Sequence, residues 1–217
     1  SQADDFLYAE GSGVLVANGE LIPLPSLIQP ATAGHLTIEF VSPPDLGVDD
    51  VMVLFDRRES SFSSHRPYYR NGEHLRAAAV KGSQVRVHRM LSESYDPQHT
   101  DAYLLRGTPV TLRDLTVVGR PNETAPRSVI SLDLATPVRL ENVRVSGGTY
   151  SGIRLSRCHD FELRGVVAFE DHLASHRTDY GLVIGNSQRG RVSGGRFTAA
   201  RHAIAMGGIK NFSFLRN

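Results

Sequence analysis

Apolar and polar residues alternate with period two over much of this chain, which is the periodicity of strands rather than of helices. From about residue 99 the alternation itself repeats. The segment Val110–Val117 (VTLRDLTV) recurs at Val138–Val145 (VRLENVRV), Phe161–Ala168 (FELRGVVA) and Gly190–Phe197 (GRVSGGRF). It begins again at Phe212–Asn217 (FSFLRN), so the starts lie 28, 23, 29 and 22 residues apart. Eight residues before each start stands a shorter strand: Ala102–Leu105, Ile130–Asp133, Ile153–Ser156, Leu182–Gly185 and Ile204–Gly207. The fifth position of the longer segment reads Asp114, Asn142, Gly165, Gly194 and Arg216. The first four are residue types that tolerate positive φ, so a sharp bend is expected at one place in every copy, with Arg216 breaking the pattern.

Short strands, a fixed bend and loops of variable length at a period near 25 residues describe a coil of parallel strands. Turns stack about 4.8 Å apart, and stacking supplies the core that no single turn can make alone. The columns Ile130, Ile153, Leu182, Ile204 and Leu140, Leu163, Val192, Phe214 are expected inside. The reading is an all-β fold, a right-handed parallel β-helix (a solenoid) over 99–217, of about five rungs with the last incomplete. Its handedness follows from the crossover rule.

Residues 1–98 are less regular and read as a β-rich N-terminal lead-in. Strand-like runs are Gly13–Ala17, His35–Val41 and Val51–Phe55. A hairpin is expected over 74–88, turning at Lys81-Gly82-Ser83, and an excursion loop over 57–71. Prolines at 23, 25, 43 and 44 mark turns or linkers.

Composition narrows the functional classes. Lys plus Arg total 24 against 23 Asp plus Glu, a net charge of +1, so no strong field draws nucleic acid or an anionic membrane. No apolar run approaches the roughly 18 residues of a spanning helix, so membrane insertion is not expected. Ser1–Asp5 shows no basic, then apolar, leader pattern. A lone cysteine, Cys158, excludes an internal disulfide framework and a multi-cysteine zinc site. The 31 Gly and Pro residues suit a turn-rich β protein. Only Lys81 and Lys210 are lysines, leaving 22 arginines; codon bias accounts for such a skew, and an acidic ligand is also conceivable.

The five rungs, with Gly152–Ser156 (GIRLS), Asp179–Ile184 (DYGLVI) and Arg201–Gly208 (RHAIAMGG), resemble the β-helix of bacteriophage tailspikes and related tail appendage proteins, which is pectate-lyase-like. The stretch Tyr68–Arg76, then Val80–Val87 and Tyr95–Pro97, is similar to the segment that leads into that coil. The resemblance covers about residues 50–217. It implies an elongated homotrimer on the virion, in the phage tail with other tail proteins, that binds and in many cases cleaves bacterial surface polysaccharide. Such coils also host hydrolases, lyases, binders and inert stalks. Alternatives are therefore a non-catalytic structural or adhesive tail component, and a free polysaccharide lyase or glycoside hydrolase.

The long loops 120–127 and 169–178 are expected to wall a groove beside the short strands. Its outward-facing candidates are Arg127, Ser131, Asp133, Tyr150, Arg154, Asp179 and Arg201. Hydrolysis of a glycoside needs two carboxyls about 5–9.5 Å apart. Asp133 and Asp179 lie two rungs apart at opposite strand ends, too far to cooperate; a loop carboxyl, Glu170 or Asp171, is the candidate to pair with Asp179, the alternative being a solvated acidic loop balanced by His172, His176 and Arg177. A lyase needs a base and a cation beside the developing charge, types that Arg154 or Arg201 with His202 or Tyr180 supply. Calcium needs several clustered oxygens, and Asp133 alone lies on that strand face, so no metal and no cofactor are expected.

His202 follows Ser128, Ser151 and Tyr180 in one column and reads as a turn histidine or a base. Cys158-His159-Asp160 reads as a turn, because neighbours on an extended chain face opposite ways. Asn122-Glu-Thr124 fits a glycosylation acceptor in a loop. Tyr68 and Tyr69, flanked by Arg66 and Arg70, suit loop packing, a subunit contact or sugar stacking. The final strand leaves unpaired edges, so a longer polypeptide or a capping partner is expected.

Overall fold

The computed structural model describes residues 5–8, 15–60, 70–119, 128–169, 180–208 and 210–217, with the backbone alone at 5–8 and 211. The chain divides into two compact units, 1–19 with 107–217, and 20–106.

The first unit is a parallel β-helix with three sheets. Sheet I stacks Leu15–Asn18, Ser128–Asp133, Ser151–Ser156, Tyr180–Gly185 and His202–Gly207. Sheet II stacks Thr108–Arg113, Ala135–Glu141, His159–Arg164, Gln188–Ser193 and Lys210–Leu215. Sheet III stacks Asp5–Tyr8, Leu115–Val118, Arg144–Ser146, Val167–Phe169 and Arg196–Phe197. Every pairing is parallel, and from Ser128 onward each rung runs through the sheets in the order I, II, III. The columns fall where the repeat puts them: Ile130, Ile153, Leu182 and Ile204 are register partners, as are Leu140, Leu163, Val192 and Phe214. They pack with Leu132, Leu155, Ile184, Val145 and Ala168 into one apolar core.

The bend between sheets II and III is made at positive φ in all five copies, at Asp114, Asn142, Gly165, Gly194 and Arg216. Arg216 therefore keeps the bend, against the expectation from its side chain. Its φ of 53° is held in a rung whose strand hydrogen-bonds the one below, and Gly194 N–H donates to Leu215 O. A second left-handed bend joins sheets I and II at Leu134, Arg157, Asn186 and Gly208.

The second unit is a six-stranded antiparallel sheet. Its order is Glu20–Pro23, Thr100–Arg106, Val51–Glu59, Arg70–Lys81, Gln84–Val87, Thr37–Glu39. Leu27, Ile38, Phe40, Met52, Leu54, Leu75, Val85 and Tyr95 form its own core. The buried Glu73 carboxylate accepts from Ser92 N–H and Oγ–H and from Glu93 N–H, so its burial is compensated.

Two boundaries differ from the sequence expectation. Ala102–Leu105 is not the short strand of the first rung; it lies within Thr100–Arg106 and pairs antiparallel with Val51–Glu59. Leu15–Asn18 takes that place, with Leu15 beside Ile130. The coil accordingly includes residues before 20 and resumes at 107 rather than at 99. The strands Val51–Glu59 and Arg70–Lys81 extend into both ends of the expected loop 57–71, whose residues 61–69, with Arg66, Tyr68 and Tyr69, lie outside the described residues. Among the described residues no helix is long and apolar enough to cross a membrane.

Candidate functional site: an aromatic and cationic ladder on the coil

Sheet I presents an outward row of Val16, Ser131, Arg154, Val183 and Ala205, one per rung. Beside it, at the strand starts, run Ser128, Ser151, Tyr180 and His202. The lower pair is closed: Ser128 Oγ and Ser151 Oγ share a buried hydrogen bond of 2.6 Å. The upper pair carries rings, Tyr180 half-buried and His202 exposed. Tyr150 meets Tyr180 edge to face at 5.3 Å between centroids, and Tyr180 stacks with His202 at 5.8 Å and 27°. Arg201 places its guanidinium carbon 5.7 Å from the Tyr180 ring centroid.

These spacings follow from the fold. Parallel strands in register repeat about every 4.8 Å, so rings at one position of successive rungs must lie near each other. Tyr180 N–H donates to Tyr150 O at 3.0 Å, which ties the Tyr150 backbone to the next rung. Arg201 directly precedes the strand and reaches back over the ring below, a contact favoured by the ring quadrupole. Arg154 is three residues along its strand from Ser151, roughly 10 Å at 3.3 Å per residue. It is exposed, as are Arg201 and His202.

The structure thus brings Tyr150, Tyr180, Arg201 and His202 together, with Arg154 on the same side. It does not bring Asp133 to them. Asp133 is at the far end of its strand, roughly 16 Å from Ser128 by the same rise. Its carboxylate accepts from both Nε and Nη2 of Arg157, with Nε at 2.9 Å. That bond raises the Arg157 pKa. Arg127, Glu170, Asp171 and Asp179 lie outside the described residues, as does Asn122-Glu-Thr124. Among the described residues no group of three or more His, Cys, Asp or Glu is placed to hold a metal.

Cys158-His159-Asp160 is the turn into sheet II. Cys158 and His159 are fully buried, while Asp160 adopts a φ of 54° and accepts from Arg139 at 3.0 Å. Burial pushes the Cys158 thiol up to about 11, away from nucleophile chemistry. The feature missed in the sequence is the Tyr150–Tyr180 contact. Its signal was available: a tyrosine at the end of one connection and another opening the strand of the next rung.

The ladder offers rings to stack on an apolar face of a ligand and guanidinium groups to bond its oxygens. Residues 146–215 match the family described as Gp49, pectin lyase-like. Solved structures that share the fold include three tailspikes. The tailspike protein gp49 from Pseudomonas phage LKA1 is 29% identical, with a TM-score of 0.81 over 91% of this chain and 34% of its own. The tailspike gp61 of Pseudomonas phage phi297 is 25% identical, with a TM-score of 0.76 over 95% of this chain and 34% of its own. The Gp54 tailspike of Acinetobacter baumannii bacteriophage AP22, solved in complex with A. baumannii capsular saccharide, is 21% identical, with a TM-score of 0.74 over 93% of this chain and 34% of its own. The chain spans about a third of the length of each. None of the curated proteins matches it.

Proposed function

We propose that this chain is part of a phage tailspike that recognises bacterial surface polysaccharide, with the ladder of Tyr150, Tyr180, Arg201 and His202 as a contact for sugar rings. It resides in the virion tail, as a homotrimer in company with other tail proteins. The observation that carries this reading is an outward ladder of rings and cations on a coil that superimposes on tailspikes over nearly its whole length. Arg201 and His202 are its exposed members, so a sugar meets the guanidinium and the imidazole with the tyrosine rings packed behind them. Arg154 extends the contact along sheet I. Arg127 directly precedes Ser128 in the chain.

The pairing of Asp133 with Arg157 favours binding over catalysis within the described rungs, because a carboxylate held in a bidentate ion pair is a poor acid or base partner. If the spike also cleaves its glycan, Asp179 with Glu170 or Asp171 are the carboxyls of this chain that would serve. The test is binding to a panel of purified capsules and O-antigens by the full chain and by Tyr180→Ala. The expected result is binding of at least one polysaccharide, weakened about tenfold or more by the substitution, a loss of roughly 1.4 kcal/mol. Unchanged binding by Tyr180→Ala refutes the ladder. Release of reducing ends, read with absorbance at 235 nm, separates a hydrolase from a lyase.

A further inference from the structure

Rungs two to five share one internal spacing. From the last sheet I residue to the first core residue of sheet II the chain takes five steps: Asp133 to Val138, Ser156 to Phe161, Gly185 to Gly190, Gly207 to Phe212. The residue after each strand donates its N–H to the rung above: Leu134 to Ser156 O, Arg157 to Gly185 O, Asn186 to Gly207 O.

The first rung has the same two ends in the same register. Asn18 pairs with Asp133, and Val110 pairs with Val138. Gly19 N–H donates to Asp133 O, as the other turn residues do. Thr108 Oγ–H donates to Asn18 O at 2.7 Å, so the two ends meet. Yet these ends are 92 steps apart along the chain. Removing Glu20–Arg106 leaves Asn18-Gly19-Gly107-Thr108-Pro109-Val110, which is five steps. The removed stretch coincides with the second compact unit. Its first and last residues are antiparallel partners joined by an ion pair of 3.2 Å, so its ends lie about 5 Å apart. Among the described residues its core shares none with the core of the coil.

We propose that residues 20–106 are an autonomous module inserted into one turn of the coil, and that the coil and its ladder form without it. Glycan contact by the ladder then does not require the module; this half rests on the function proposed above. The module is free to serve a different task in the same particle, and its loss closes the first rung rather than breaking it.

The test compares the full chain with two variants, one joining Gly19 directly to Gly107 and one joining them through Gly-Ser-Gly-Ser. Cys158 reports on the coil, because its thiol is fully buried there. Its reaction with a thiol reagent should be at least about a hundredfold slower than in the urea-unfolded chain, in the full protein and in both deletions. Free reactivity in both deletions, with protection in the full chain, overturns the proposal. Autonomy of the module is read in the full chain by hydrogen exchange. Leu155→Asp, which charges the coil core, should leave the amides of 20–106 protected; collapse of that protection overturns autonomy. Glycan binding is scored last. A polysaccharide held by the full chain and lost by both folded deletions overturns the functional half. Binding by none of the three removes the glycan reading instead, while the thiol and exchange results still decide the insertion.

Discussion

Gly190 shows how one atom is set by the rung beneath it. It sits in the column Val110, Val138, Phe161, Gly190, Phe212, where every other member is large. A Cβ there would lie 1.9 Å from Cζ of Phe161, because that ring leans into the space above it. The lean brings Phe161 to 5.6 Å from Phe212, across the intervening rung. Gly190 is thus the gap that lets two aromatic residues meet. Gly190→Ala should destabilise the coil by about 1–3 kcal/mol, the usual range for overpacking. The check is a lower urea midpoint with an unchanged m-value. Adding Phe161→Leu should return a large part of the loss, and no recovery would place the strain elsewhere. The sequence placed Gly190 in its column correctly but held no sign of the ring beneath it, since side-chain tilt is a packing outcome.

Among elements, the bends explain both what could be read and what could not. The sheet II to III bend was legible because Asp114, Asn142, Gly165 and Gly194 are chemically permissive in the left-handed region. The sheet I to II bend was hidden, because Leu134 and Arg157 adopt the same conformation without being residues that favour it. There the ladder of N–H bonds to the next rung imposes the geometry. Asn142 separates the two influences. Its Nδ2 donates to Asp114 Oδ1 at 2.8 Å, and its φ is 52°. Asn142→Gly should cost under about 1 kcal/mol, losing one exposed hydrogen bond. Asn142→Val should cost about 1–2 kcal/mol more, the left-handed penalty of an L-residue. Equal midpoints for the two variants would show that backbone strain is not the governing cost. The outer ladder Arg113–Glu141–Arg164 behaves differently. Both arginines are well exposed, so Glu141→Gln should cost less than about 1 kcal/mol, and adding salt to about 0.5 M should erase the difference. The first rung misled for another reason. Ala102–Leu105 alternates as a rung strand does, and period two does not distinguish a parallel from an antiparallel partner.

At the scale of the whole molecule, the candidate site was legible as a side of the coil but not as a set of contacts. Arg154 and Arg201 follow from strand phase alone, whereas His202 is exposed although its phase is that of the inward Ile204, and the diversion of Asp133 to Arg157 depends on the hidden bend that turns Arg157 back toward it. The core of the 20–106 unit also carries a pH dependence of its own. In the 20–106 unit the His74 Nδ1 is shut off from solvent, and burial lowers its pKa from 6.5 to about 4. Between those values the unfolded chain binds a proton that the folded unit does not, so stability rises with pH across that window. Well above 6.5 both states are neutral at His74, and the curve is flat. As pH falls from about 6.5 to 4 the unit should lose about 2–3 kcal/mol, at roughly 1.4 kcal/mol for each tenfold rise in proton concentration. Asp56 acts lower down: its hydrogen bond with Arg58 depresses its pKa below 3.8, so its contribution is lost only as pH falls beneath that value. Hydrogen exchange at pH 7 and pH 5 should therefore show protection falling in 20–106, beyond the intrinsic pH effect on exchange. His74→Gln should flatten the dependence. A loss that survives His74→Gln would assign the acid sensitivity to other groups.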